Sequence, residues 1–115
     1  MDRRETGSRA EASACAFLES QGFTLVTRNF LRRVGELDIV ARAGDLLVIV
    51  EVRTRASDRY GGAAASIGPG KQRRIAATAG LLLQRHPELR RCRVRFDVIV
   101  VRDGCIEWLK HAFDA

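Results

Sequence analysis

Between residues 10 and 18 the apolar positions fall at Ala10, Ala14, Phe17 and Leu18, the spacing of a single helical stripe. Ser8-Arg9-Ala10-Glu11 in front of them has the form of a capping box, so a helix is predicted to open there and to close at Gly22. The period then drops to two. Residues 23–31 read as a first strand, and 36–42 alternate polar with apolar as a second. Residues 46–55 begin with the continuous apolar run Leu46 to Val50 expected of a central strand. Gly44-Asp45 between the last two predicts a tight hairpin turn. Residues 56–70 hold four glycines and Pro69 and read as a loop. Helical spacing resumes over 71–85 through Ile75, Ala76, Ala79, Leu82 and Leu83, and Pro87 follows it. Alternation returns over 93–101 and 105–113, joined by the turn Asp103-Gly104. The order αβββαββ predicts an α/β fold with a mixed central sheet flanked by helices.

The Gly44-Asp45 hairpin sets a register. With these two as the central turn residues, Ala43 faces Leu46, Asp38 faces Glu51 and Glu36 faces Arg53. Directly opposed side chains lie about 4.5–5.5 Å apart at Cβ, and like charges there destabilise a sheet. A divalent cation would offset that cost: Mg²⁺ takes one or two carboxylates and keeps its remaining positions for water and phosphate oxygens. Two other readings stay open at this point. Arg53, Arg55 or Arg95 could neutralise the pair, or Glu36 and Asp38 could face solvent. A three-residue turn would send Asp38 to the other face of the sheet.

The 115 residues suffice for one core, so a single domain spanning 1–115 is expected. At 46% hydrophobic and 30% charged, the composition is globular rather than disordered. The run Leu46 to Val50 is too short to cross a bilayer, and Met1-Asp2-Arg3-Arg4-Glu5 leads into no apolar signal core. A cytoplasmic protein without a membrane partner is therefore expected. Cys15, Cys92 and Cys105 form no CxxC pair and are odd in number, which suits reduced thiols. Their spacing to His86 and His111 supports no zinc site. The net charge of +6 favours a polyanionic partner such as nucleic acid. Because 18 of the 20 basic residues are arginine, the excess also fits an arginine-rich genome.

One set of short segments goes further. It comprises Gly7 and Glu11; Asn29-Phe30; Gly35-Glu36-Leu37-Asp38-Ile39-Val40; and Val48 through Arg55. Tyr60-Gly61, Lys71-Gln72, Arg95-Phe96-Asp97-Val98 and Ala112-Phe113 complete it. Across nearly the whole chain this resembles the YraN family of small bacterial proteins. That family's pattern is similar to the Holliday-junction resolvases of the PD-(D/E)xK nuclease superfamily, which have a restriction-endonuclease-like fold. The resemblance implies that Asp38 and Glu51 ligate Mg²⁺ or Mn²⁺, with the backbone carbonyl of Val52 as a third ligand. It implies that Glu11 assists through a metal-bound water, alongside its capping role, and that Gln72 lies near the active site. Asp97 beside Arg95 is read as a structural salt bridge, and His86 and His111 receive no role.

Two departures stand out. The superfamily has lysine two residues after the glutamate, and this chain has Arg53. Lysine can lose its proton when buried; arginine cannot. Arg53 could instead grip a phosphate oxygen, and Lys71 could supply an amine from the next element. Ala63-Ala64-Ala65 stand where relatives often carry an acidic residue. The expectation is a Mg²⁺- or Mn²⁺-dependent nuclease acting on branched or single-stranded DNA. Arg53 would steady phosphoryl oxygens, and Arg32, Arg33, Arg55, Arg59, Arg73 and Arg74 would hold backbone phosphates. The alternatives are an inactive nucleic-acid-binding module and an interaction protein with no nucleic-acid role. Because many related nucleases pair to cut both strands, a homodimer is part of the expectation.

Overall fold

The computed structural model describes residues 3–54 and 67–114, with side chains from residue 8 onward. Its elements are α1 (Arg3–Ser20), β1 (Thr24–Arg32), β2 (Gly35–Ala43), β3 (Leu46–Arg53), α2 (Pro69–Arg85), β4 (Arg93–Arg102) and β5 (Cys105–Phe113). A single 3₁₀ turn, Pro87–Leu89, lies between α2 and β4. The sheet order follows the chain, β1-β2-β3-β4-β5, and β3–β4 is its one parallel pair. A parallel pair needs a crossover, and α2 provides it. This mixed five-stranded sheet between two helices has the αβββαββ order predicted from the pattern and is consistent with the restriction-endonuclease-like fold that the resemblance implies.

Each face of the sheet carries one helix and one core. Ala14, Cys15 and Leu18 of α1 pack on Ile39, Ala41, Val48, Val50 and Ile99. Ile75, Ala79 and Leu82 of α2 pack on Leu37, Val40, Leu47, Ile49, Val98 and Val100. β3, covered on both faces, buries every residue from Leu47 to Glu51, which is why its sequence lacks alternation.

Two element starts differ from the pattern. α1 begins at Arg3, so Ser8 lies inside the helix and the segment Ser8–Glu11 does not cap it. Arg3, Arg4 and Glu5 are good helix formers, and they carry the helix through a serine and a glycine that tolerate it. α2 begins at Pro69 rather than Lys71: Pro69 follows the extended Gly68 and supplies a φ already suited to the first turn.

Besides a register shift between Leu25 and Thr27 of β1, strand alternation breaks within β2. Leu37 and Val40 belong to the α2 side, whereas Ile39 and Ala41 belong to the α1 side. The break falls at Asp38. Its ladder partner in register would be Asn29, yet this pair is missing from an otherwise continuous run between Thr27↔Val40 and Arg32↔Gly35. Asn29 has φ 52°, a left-handed conformation that asparagine tolerates better than most residues. A further irregularity lies in β5, where Lys110, His111 and Ala112 stand opposite Asp97 alone. His111 takes φ 52° there.

Candidate metal centre

The β2–β3 ladder pairs Ala43 with Leu46 and continues in the predicted register to Ile39 with Val50. Asp38 and Glu51 occupy the next position, but the ladder has already ended. Asp38 Oδ2 instead accepts the Val52 N–H at 3.0 Å. Carboxylate oxygens of Glu11, Glu36 and Asp38 lie within 4.8 Å of one another. Helical spacing explains Glu11: it precedes Ala14, Cys15 and Leu18 by three, four and seven residues, so the stripe that packs α1 on the sheet carries the glutamate to the sheet's end. Glu36 and Asp38, two apart on β2, reach the same side.

Asp38 is half-buried, and its carboxyl is pushed up from 3.8 to about 7. Burial is the first cause and the Glu51 charge the second. The Val52 N–H pulls the other way, and Glu11 and Glu36 push up further. Glu51 is itself buried, where water screens a charge poorly.

The predicted ligand Glu51 is not one of the three clustered carboxylates, and it has cations of its own. Lys71 Nζ, in the first turn of α2, lies 2.6 Å from Glu51 Oε1, and Arg53 Nη2 lies 3.9 Å from the same oxygen. Arg28 Nη2 lies 3.5 Å from Glu11 Oε1. Among the described residues, two buried side-chain nitrogens lack a hydrogen-bond partner: Arg28 Nε and Arg53 Nε. Both belong to arginines at this centre, and a buried donor without an acceptor is costly. Arg95 takes no part. It donates two 2.9 Å hydrogen bonds to Asp97, which also accepts from Trp108 Nε1 and the His111 N–H. Asp97 is fully buried and fully bonded, the structural salt bridge expected.

The structure does not gather every predicted residue. Gln72 donates its side-chain amide to the Ile67 carbonyl at 2.8 Å, fastening the chain just before α2. Val52 meets Asp38 through its N–H. Arg32 and Arg33 lie at the β1–β2 hairpin, and the exposed Arg73 and Arg74 lie in the first turns of α2. A Cβ built on Gly35 would come within 3.4 Å of Arg74, so α2 and the hairpin meet near this centre. Arg55, Arg59, Tyr60-Gly61 and Ala63-Ala64-Ala65 lie outside the described residues. His86 pairs with Glu88 and His111 with Asp114, both at the surface. The three cysteines are free, Cys15 buried and Cys105 exposed. Among the described residues no helix is long and apolar enough to cross a membrane.

Two members of the centre were not predicted. Glu36 had a signal, since it stands two residues before Asp38 on one strand. Arg28 had none, because its approach to Glu11 depends on how α1 lies on the sheet. A hollow of about 510 Å³ lined by Thr24, Val26, Arg42, Gly44, Glu88 and Leu89 sits at the opposite end of β2 and offers no such chemistry.

Sequence comparisons bear on the same residues. The family model described as "Uncharacterised protein family UPF0102" matches residues 10–101, which span Glu11 through β4. A UPF0102 protein of Alkalilimnicola ehrlichii is 48% identical over 96% of this chain and 88% of its own length. One from Nitrosomonas europaea is 47% identical over 94% and 92%, and one from Bordetella avium 46% identical over 97% and 77%.

Proposed function

The chain belongs to the uncharacterised protein family UPF0102, and from that premise we propose that it is a Mg²⁺- or Mn²⁺-dependent nuclease hydrolysing DNA phosphodiester bonds. One observation carries the reading. A half-buried aspartate whose charge is disfavoured stands among two glutamates within 4.8 Å and a third that raises its proton affinity. Hard oxygen donors held together at an electrostatic cost are what a divalent cation stabilises, so the residues suit the ion. Asp38 would be the central ligand, with Glu51, Glu11 and Glu36 as the other carboxylates and the Val52 carbonyl as a backbone donor. When bound, such an ion supplies Lewis-acid polarisation of a phosphoryl oxygen and acidifies water.

The remaining roles fall to side chains. Arg53 offers a planar fork of donors, and its unsatisfied Nε suits an acceptor such as a phosphoryl oxygen. Lys71 offsets the Glu51 charge and brings an amine to the carboxylate that a lysine at position 53 would reach. Gln72 secures the start of α2, and with it Lys71, through Ile67. Arg32, Arg33, Arg73 and Arg74 would present charge to backbone phosphates near the centre; Arg55 and Arg59, proposed for the same role, lie outside the described residues. Contacts of this kind ignore base sequence and weaken with salt. The reading carries with it a DNA partner, a cytoplasmic location, and a homodimer that would bring two centres to a duplex.

A second reading, a DNA-binding module without turnover, is favoured by Arg53 itself, which cannot act as a base. One experiment separates the two. Purified protein is incubated with end-labelled branched and single-stranded DNA in Mn²⁺, in Mg²⁺ and in chelator. Metal-dependent cleavage that Asp38→Ala abolishes, with binding retained, is the expected result. Salt-sensitive binding without cleavage selects the second reading, and cleavage surviving Asp38→Ala removes the site assignment.

A further inference from the structure

The β1–β2 hairpin turns through Arg33 and Val34, between the last paired residues Arg32 and Gly35. Leu31 is 64% exposed and Val34 42%, and no other large apolar residue among those described reaches 40%. Scattered exposed aliphatic residues are ordinary on a protein surface. These two differ in being neighbours at one tip, in the stiffness of that tip and in where it points.

The stiffness comes from Arg32. Its guanidinium stacks 4.0 Å from the Phe30 ring centroid, and Nη1 donates to the Leu31 carbonyl at 2.6 Å. Phe30 is in turn buried in the core on the α2 side. Leu31 is thus presented by a braced strand end rather than by a loose loop. The direction comes from register. Leu31 pairs with Glu36, so the two side chains stand on one face of the hairpin with Cβ atoms about 4.5–5.5 Å apart. Glu36 is one of the three clustered carboxylates. An exposed leucine therefore stands beside the acidic centre, with the exposed Arg33 two residues further along; Arg74 meets Gly35 from the other face of the hairpin.

Aliphatic tip residues beside the exposed Arg33, on a chain of net charge +6, match a polymer with an anionic backbone and apolar flat faces. Nucleic acid is such a polymer. In an intact duplex those faces are covered by stacking. They open at forks, nicks and single-stranded tails; aliphatic side chains of other proteins wedge between duplex base steps at an unstacking cost that an already open end does not carry. Resting on the nucleic-acid reading above, we propose that the hairpin tip is a structure-selecting wedge. Leu31 and Val34 pack on the exposed base at a duplex–single-strand boundary while Arg33 meets the flanking phosphate. The protein thereby selects branched DNA over intact duplex.

The test uses the full chain in chelator, with two DNAs of equal length. One is a plain duplex; the other is a fork carrying 2-aminopurine in the last base pair before the branch. The wild type is expected to bind the fork about tenfold more tightly than the duplex and to raise 2-aminopurine emission as the base unstacks. Leu31→Ser with Val34→Ser should bring the two affinities within about twofold of each other and leave duplex binding unchanged. Leu31→Met should retain the preference. Circular dichroism should be the same for all three, because the substituted positions are exposed. A fork preference that survives the double substitution, or a wild type without one, overturns the wedge. A fork preference together with a chain that never cleaves leaves the wedge standing and sinks only the hydrolytic reading.

Discussion

Lys71 Nζ lies 2.6 Å from Glu51 Oε1, so the first turn of the crossover helix is tied by charge to the end of the central strand. Glu51 is buried and Lys71 is partly open to water. Without Lys71 the carboxylate keeps, among the described residues, only Arg53 as an ion-pair partner, at 3.9 Å. Lys71→Met should cost about 1–2 kcal/mol in urea denaturation, less than a fully buried pair because water screens the lysine. It should also lower metal-dependent cleavage about a hundredfold, the lower end of what a positioned acid–base or electrostatic group contributes. Adding Arg53→Lys to that variant should restore part of the rate, since a lysine there can approach the same oxygen. Cleavage unaffected by either change would remove both residues from the reaction.

Asp38 sets a pH dependence. Its carboxyl ionises at about 7 in the fold and near 3.8 otherwise. Between those values the unfolded chain gives up a proton that the folded chain keeps, so stability contributed by Asp38 is present at low pH and lost as pH rises through about 7. The displacement corresponds to at most about 4 kcal/mol. Metal-free protein should show a higher denaturation midpoint at pH 5 than at pH 8, and Asp38→Asn should remove most of that difference. At pH 8, Mn²⁺ should raise the midpoint of the wild type and leave the variant unchanged.

Gly35 marks a close approach of backbone to helix. A Cβ at this position would meet Thr78 Oγ1 at 2.9 Å, and that hydroxyl is already held by the Arg74 carbonyl at 2.7 Å. Thr78 is fully buried and cannot swing aside. Gly35→Ala should therefore destabilise by about 1–3 kcal/mol by forcing α2 off the sheet. Gly35→Ala with Thr78→Ala should recover most of it.

Asp97 holds β4 and β5 together. It accepts from Arg95, Trp108 Nε1 and the His111 N–H, and so fixes the backbone of the three-residue bulge opposite it. Asp97→Ala leaves these donors without their acceptor and should cost about 3 kcal/mol or more. Trp108 fluorescence should report the change directly, since Phe17 and Phe23 meet the indole edge-on and would lose their alignment. An unchanged midpoint would show that the bulge is held by packing alone.

How far this arrangement could be read from residues depends on how local each cause is. Gly44-Asp45 is a local device, and it yields the β2–β3 register as far as Ile39 and Val50. The Asp38 irregularity is a two-strand event. It needs Asn29 in a left-handed conformation on the neighbouring strand, and polar–apolar alternation over 36–42 reads straight through it. Ser8–Glu11 resembles a helix start because capping chemistry is short-ranged, whereas the true start was set by helix formers further upstream. The Lys71–Glu51 contact is likewise invisible locally, since it arises only when the crossover returns α2 over β3. Glu36 stands two residues before Asp38 on the same strand, but the predicted register sets Arg53 opposite it as an ordinary partner.

The parallel β3–β4 pair has a consequence for how the chain is made. Leu46 must wait for Arg93 and the residues after it before the inner edge of β3 is sealed, although β1, β2 and β3 can assemble as each hairpin leaves the ribosome. During that interval the most apolar strand of the protein presents an open row of amides and carbonyls. Nascent chains stalled within α2 are the species for which a holding chaperone matters most, and ribosome-bound truncations ending before residue 93 should be captured by one far more readily than the finished chain.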